Sequence, residues 1–103
     1  MYTLFFFVPD SHLESVKEAV FAAGAGAIGD YQNCCWQVLG QGQFKPMAGS
    51  QPFTGEHGQL KKVQEWRVEL VVDAEHIKPA VAALKAAHPY EEVAYGVYAL
   101  LDF

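Results

Sequence analysis

Basic residues are scarce in this 103-residue chain: 7 Lys and Arg stand against 12 Asp and Glu, for a net charge of −5. Lys61-Lys62 is the only basic pair, so no cluster is available to displace counterions from phosphates, which argues against a nucleic-acid partner. Charge of either sign is thin, at 18% of residues against roughly 25% in ordinary soluble domains. A small protein carries much surface for its volume, so low charge implies that a partner covers part of it. Cysteine is limited to Cys34 and Cys35, which are adjacent. Neighbours on a strand point to opposite faces, which argues against a mutual disulfide or a shared metal, and two free thiols fit a reducing cytoplasm. No apolar run is long enough to span a membrane. The N-terminal run has no basic flank and no small-residue cleavage site after it, and reads as a strand. Metal-binding spacings such as H-x-x-x-H or C-x-x-C are missing too.

What the chain does have is apolar residues, 51% of the total, in a pattern of short elements that fits one domain over residues 1–103. Tyr2–Val8 is nearly continuous in apolar character, as in a strand buried on both faces. Ser11 and Glu14 form a capping box for a first helix over Ser11–Ala23, with Leu13, Val16 and Val20 inward and Gly24 as its stop. Tyr31–Leu39 reads as a second strand and Val63–Val72 as a third, the latter alternating Trp66, Val68, Leu70 and Val72 with Glu65, Arg67 and Glu69. A second helix opens at Asp73 or Glu75, tolerates Pro79 in its first turn and ends at His88. Val93–Leu101 is the last strand, apolar on both faces.

The order β-α-β-β-α-β predicts an α+β, ferredoxin-like fold. Four antiparallel strands would carry both helices on one face, with the first and third strands central. The first and last strands have no polar pattern for the uncovered face, so a further subunit is expected to cover it. The Gly- and Pro-rich stretch between Leu39 and Lys61 exceeds ordinary loop length and carries Phe44, Met47 and Phe53, so it is expected to pack against something.

Two motifs bear chemistry. His88-Pro89-Tyr90-Glu91-Glu92 gathers an imidazole, a phenol and two carboxylates where a helix meets a strand. His88 with Glu91 can share a divalent ion, given further ligands from a second subunit. Gly24-Ala-Gly-Ala-Ile-Gly29 has dinucleotide-loop spacing, but a helix precedes it and a strand follows, the reverse of what pyrophosphate binding needs. Helix termination and a tight return to the sheet account for it. His12, His57 and His76 are scattered, and no nucleophile has a base nearby in sequence, so no enzyme is expected.

Four stretches occur in an order that resembles a known module: 24–31 (Gly-Ala-Gly-Ala-Ile-Gly-Asp-Tyr), 40–46 (Gly-Gln-Gly-Gln-Phe-Lys-Pro), 51–55 (Gln-Pro-Phe-Thr-Gly) and 88–95 (His-Pro-Tyr-Glu-Glu-Val-Ala-Tyr). The module is the CutA/PII-like domain inserted in many bacterial Nif-three-like proteins, which also occurs free-standing. The last stretch is also similar to the trimeric CutA divalent-ion tolerance proteins. The resemblance implies a homotrimer formed through sheet edges and loops and does not imply an enzyme; a sensing or regulatory role is expected. It implies an inter-subunit cleft lined by Gly24, Gly26, Asp30 and Tyr31 with His88, Pro89, Tyr90 and Glu91, holding a small ligand or a divalent metal ion. The Nif-three-like dinuclear centre belongs to a different domain, and the nucleotide-binding residues of true PII proteins have no match. The alternative is a purely structural or partner-docking trimer.

Overall fold

Strand β1 (Tyr2–Pro9) lies at the centre of one antiparallel sheet in the computed structural model, which describes residues 1–103. With β2 (Trp36–Phe44), β3 (Lys61–Val72) and β4 (Tyr95–Ala99) it gives the order β2-β3-β1-β4, the predicted ferredoxin-like arrangement with β1 and β3 inside. The register Leu4↔Leu70, Phe6↔Val68 and Val8↔Trp66 puts β1 and β3 apolar residues on one shared face. Leu13, Val16 and Val20 of α1 (Leu13–Ala22) and Ala80 and Leu84 of α2 (Ile77–Ala87) bury against it. Full burial of each such large side chain stabilises by about 1.5–3 kcal/mol, so this two-layer core carries most of the fold energy.

The opposite face is less bare than the sequence implies. Phe5 and Phe7 project there from β1, and the Arg67 guanidinium lies 4.3 Å from the Phe5 ring centre and 5.4 Å from that of Phe7. Tyr98 of β4 stacks on Phe5 at 5.1 Å. Gly96, opposite Phe5, leaves room for this ring, since a Cβ there would collide with it. Both outer strands keep exposed apolar side chains: Trp36 and Val38 on β2, Tyr95, Val97 and Tyr98 on β4.

Several local expectations need correction. The helix does not start in a capping box. A 3-10 turn at Asp10–His12 comes first, His12 occupies the N-cap without its side chain capping the helix, and Ser11 Oγ bonds His12 Nδ1 at 2.8 Å instead. Pro9, in extended conformation, ends β1 immediately before that turn. The second strand begins at Trp36 rather than Tyr31 and runs on to Phe44, because the hairpin partner β3 begins at Lys61 and pairs that far. Cys34 and Cys35 therefore precede the strand, as half-buried free thiols. The last strand is trimmed to Tyr95–Ala99, the length over which β1 offers partners.

The Gly24 stop behaves as predicted. Gly24 N–H donates to Phe21 O and Ala25 N–H to Val20 O, the paired bonds of a Schellman motif, with Gly24 at φ +106°.

Candidate functional site

A cleft of about 340 Å³ opens where the α2–β4 connection, the start of β3 and the 45–60 loop converge. Its position follows from the end of α2. His88 leaves helical backbone at φ −73°, ψ 138°, as a residue preceding proline must, and turns the chain towards the sheet. The imidazole is buried, 6% exposed, and is used at both nitrogens. Nε2–H donates to Phe7 O at 2.7 Å, and Nδ1 accepts from Tyr90 N–H at 3.1 Å. One neutral tautomer satisfies both bonds. Burial first, and the charge of His12 in addition, push His88 below its ordinary value of 6.5, against an opposing pull from the Phe7 carbonyl.

Tyr90 is thereby set into the cleft, its ring centre 4.9 Å from that of His88 and 6.2 and 6.1 Å from Phe44 and Phe53. The phenolic oxygen is buried, and its polar neighbour is the Glu65 carboxylate of β3. Burial, reinforced by the Glu65 carboxylate, pushes the phenol up to about 12. Burial likewise raises the Glu65 carboxyl from its ordinary value, against an opposing pull from the Tyr90 hydroxyl. Two half-buried acids thus face each other across the cleft, and burial makes the ionised form of each costlier than it is in water.

The 45–60 loop forms the other wall and holds its own shape. Gly58 N–H donates to Pro46 O at 2.7 Å, and His57 Nε2–H to Ser50 O at 2.7 Å. Glu91 fastens it to the body: its Oε2 accepts from Gln51 N–H at 2.8 Å. The Glu91→Ala variant should release this fastening while the sheet stays intact. Amide exchange at Gln51 is expected to rise about fivefold, the equivalent of ~1 kcal/mol for a solvent-exposed bond. Unchanged exchange at Gln51 would show that Glu91 does not restrain the loop.

The residues expected from the sequence divide into two groups. His88, Pro89, Tyr90 and Glu91 come together here, with Tyr90 and Glu91 on the wall and His88 behind them. Gly24, Gly26, Asp30 and Tyr31 lie at the far end of the sheet. Gly26 N–H donates to Val71 O at 2.8 Å, and Val71 stands six positions from Glu65 along β3, about 20 Å away. Asp30 sits with Gly29 in a two-residue turn closed by Ile28 and Tyr31, with Tyr31 74% exposed. Within one subunit the two groups do not meet. Both imidazole nitrogens of His88 are hydrogen-bonded within the subunit, and no three metal-ligating side chains cluster there.

Glu65 and Gln43 are site residues that sequence reasoning missed. Outward alternation along the third strand marks Glu65 as solvent-facing, and nothing local reveals that Tyr90, 25 positions on, would cover it. The apolar residues in the long loop were the available signal, and Phe44, Met47 and Phe53 do line the cleft.

No protein-family model matches the chain. A Mycobacterium leprae protein named as a GTP cyclohydrolase 1 type 2 homolog is 47% identical over 95 residues, covering 92% of this chain and 25% of its own. The crystal structure of a Bacillus cereus protein related to NIF3 superposes with a TM-score of 0.83 at 40% identity, over 98% of this chain and 26% of that one. The Archaeoglobus fulgidus divalent cation tolerance protein CutA superposes at 0.70 with 12% identity, over 100% of this chain and 87% of its own. The fold is therefore that of the CutA/PII-like class. Within that class, the chain is a Nif-three-like CutA/PII-like domain. It spans about a quarter of the length of the curated relatives it matches.

Proposed function

We propose that this chain acts as a non-enzymatic, homotrimeric CutA/PII-like module of the cytoplasm, binding a small ligand or divalent ion in a sensing or regulatory role, with no nucleic-acid or membrane partner. The observation that carries the reading is the 340 Å³ cleft, with aromatic walls, two exposed carboxylates at its rim and one wall supplied by a tethered loop. That lining suits recognition, because it pairs no nucleophile with a base. The curated relatives are named as homologues of a cyclohydrolase, but this chain matches only a quarter of their length, and no turnover is assigned to it.

Assembly is supported by the exposed apolar side chains on both outer strands, Trp36 and Val38 at one edge and Tyr95 and Tyr98 at the other. It is supported also by the separation of the two motif groups, which can share one cleft only if a neighbour's 28–31 turn reaches the His88–Glu91 end. A divalent ion would find carboxylate oxygens of Glu91 and Glu92 at the rim but no free imidazole, which favours an organic ligand.

Sedimentation equilibrium at micromolar concentration is expected to give three times the 11.4 kDa subunit mass. A monomer would overturn the assembly and the shared cleft together. Thermal shifts with copper, zinc, manganese and nucleotides test the binding role. The second reading, a structural or docking trimer, is favoured by the internal satisfaction of His88 and Glu91. It prevails if alanine at both positions weakens the trimer and leaves every ligand affinity unchanged.

A further inference from the structure

Glu65 is a half-buried carboxylate with no cation beside it. The ion pairs of the chain are Lys17–Glu14, Arg67–Glu69 and His76–Asp73, and none involves Glu65. Its side chain lies against Gly42 of β2, in a space that any Cβ at that position would fill. Glycine inside a strand sacrifices about 0.5–1 kcal/mol relative to alanine, and here the missing Cβ makes a berth for the carboxylate. Beside it the Tyr90 hydroxyl is buried, with the Glu65 carboxylate as its polar neighbour. Phe7, Phe44 and Tyr90 bring ring surface to the same cleft, and Glu91 and Glu92 add two further carboxylates at its rim.

Cations near this lining are few. Lys45 is the only one that lines the cleft, and Arg67, in the adjoining groove, is bonded to Glu69 at 2.7 Å. A half-buried carboxylate lacking a counter-charge raises the free energy of the empty cleft, and an entering cation relieves it. The ring faces attract the same sign of charge through their quadrupoles. An anion would meet the carboxylates unpaired.

We infer that the cleft accepts a small organic ammonium, its N–H groups on the Glu65 carboxylate and its apolar body against Phe7, Phe44 and Tyr90. The inference rests on the reading of this cleft as a ligand site. It names the ligand's charge and shape: a primary or secondary amine on an aryl or short alkyl body, within 340 Å³.

Three probes of one shape and different charge test it: phenethylamine, 2-phenylethanol and 3-phenylpropanoate, titrated into the intact chain by calorimetry and by amide NMR. The amine is expected to bind at least about tenfold tighter than the alcohol, the value of one charge-assisted hydrogen bond. It should shift the amides of Gln43, Phe44 and Tyr90. Glu65→Gln, first checked for an unchanged melting profile, is expected to abolish the amine's advantage and leave the alcohol's affinity as it was. If the variant does not fold, the NMR map on the unmodified chain decides, because shifts confined to other surfaces overturn the proposal. Equal binding of alcohol or carboxylate overturns the ammonium while keeping the cleft as a ligand site. Binding of none of the three, nor of any nucleotide or metal, overturns both. A Glu65→Gln variant that loses assembly and never bound amine would assign the counter-charge to another copy of the chain, again overturning the proposal.

Discussion

Replacing His88 with alanine is expected to lower the unfolding free energy by about 3 kcal/mol, with a fall of several degrees or more in melting temperature. The ring is nearly fully buried and satisfies two backbone groups from segments 81 and 2 residues away, Phe7 O and Tyr90 N–H. Alanine leaves both unpaired, at about 1–3 kcal/mol each when buried, and leaves a cavity where the ring stood. Partial entry of water offsets some of that sum. The pH dependence separates this role from simple packing. The folded protein holds His88 below its ordinary 6.5, so the unfolded chain binds the proton more readily. The contribution is fully present above pH 6.5 and is lost as pH falls from there through the depressed folded value. Chemical denaturation of the native chain between pH 7.5 and 5 should therefore show declining stability, and the His88→Ala variant a flatter profile over the same window. Parallel profiles for the two proteins would remove His88 from the account.

Gly26→Ala is expected to be comparably damaging, at about 2–4 kcal/mol, although it adds a single methyl group. Gly26 is buried with φ +79°, where a side chain sacrifices about 1–2 kcal/mol by itself. A Cβ would also meet the Phe21 ring at 2.8 Å and Cys34 O at 2.9 Å. Neither neighbour yields easily, since Gly26 O accepts from Cys34 N–H and Gly26 N–H donates to Val71 O, both at 2.8 Å. Any shift breaks the junction between α1, the approach to β2 and the end of β3. Gly29→Ala provides the control. Its φ of +56° is also left-handed, but nothing lies within 4 Å, so only the backbone strain of about 1 kcal/mol is expected. Equal urea midpoints for the two variants would rule out the packing part of the explanation.

The same comparison shows why the glycine motif was readable and the cleft was not. Helix termination at Gly24 depends on neighbours one turn away, and the structure forms those bonds as the local sequence requires. The central strands were equally legible, because burial on one face imposes a two-residue period on Val68, Leu70 and Val72. Misjudged boundaries occur where a tertiary partner decides them. The second strand continues to Phe44 only because Lys61 pairs with it, and the first helix starts only after the turn that follows Pro9. The His88–Glu91 motif announced itself as a helix end. Its function as a brace, with Glu91 reaching Gln51 across 40 positions, did not.

Composition and periodicity by themselves determined the two helices, the four strands, their α+β order and the low charge of the surface. Only the tertiary structure decided that Glu65 lies over Gly42 beneath Tyr90 without a salt-bridge partner, and that both nitrogens of His88 are already spent. The physical reason is one of range. Helix stops and strand alternation are set by interactions between residues a few positions apart. The charge balance of a cleft depends on side chains that come together only after the sheet has formed.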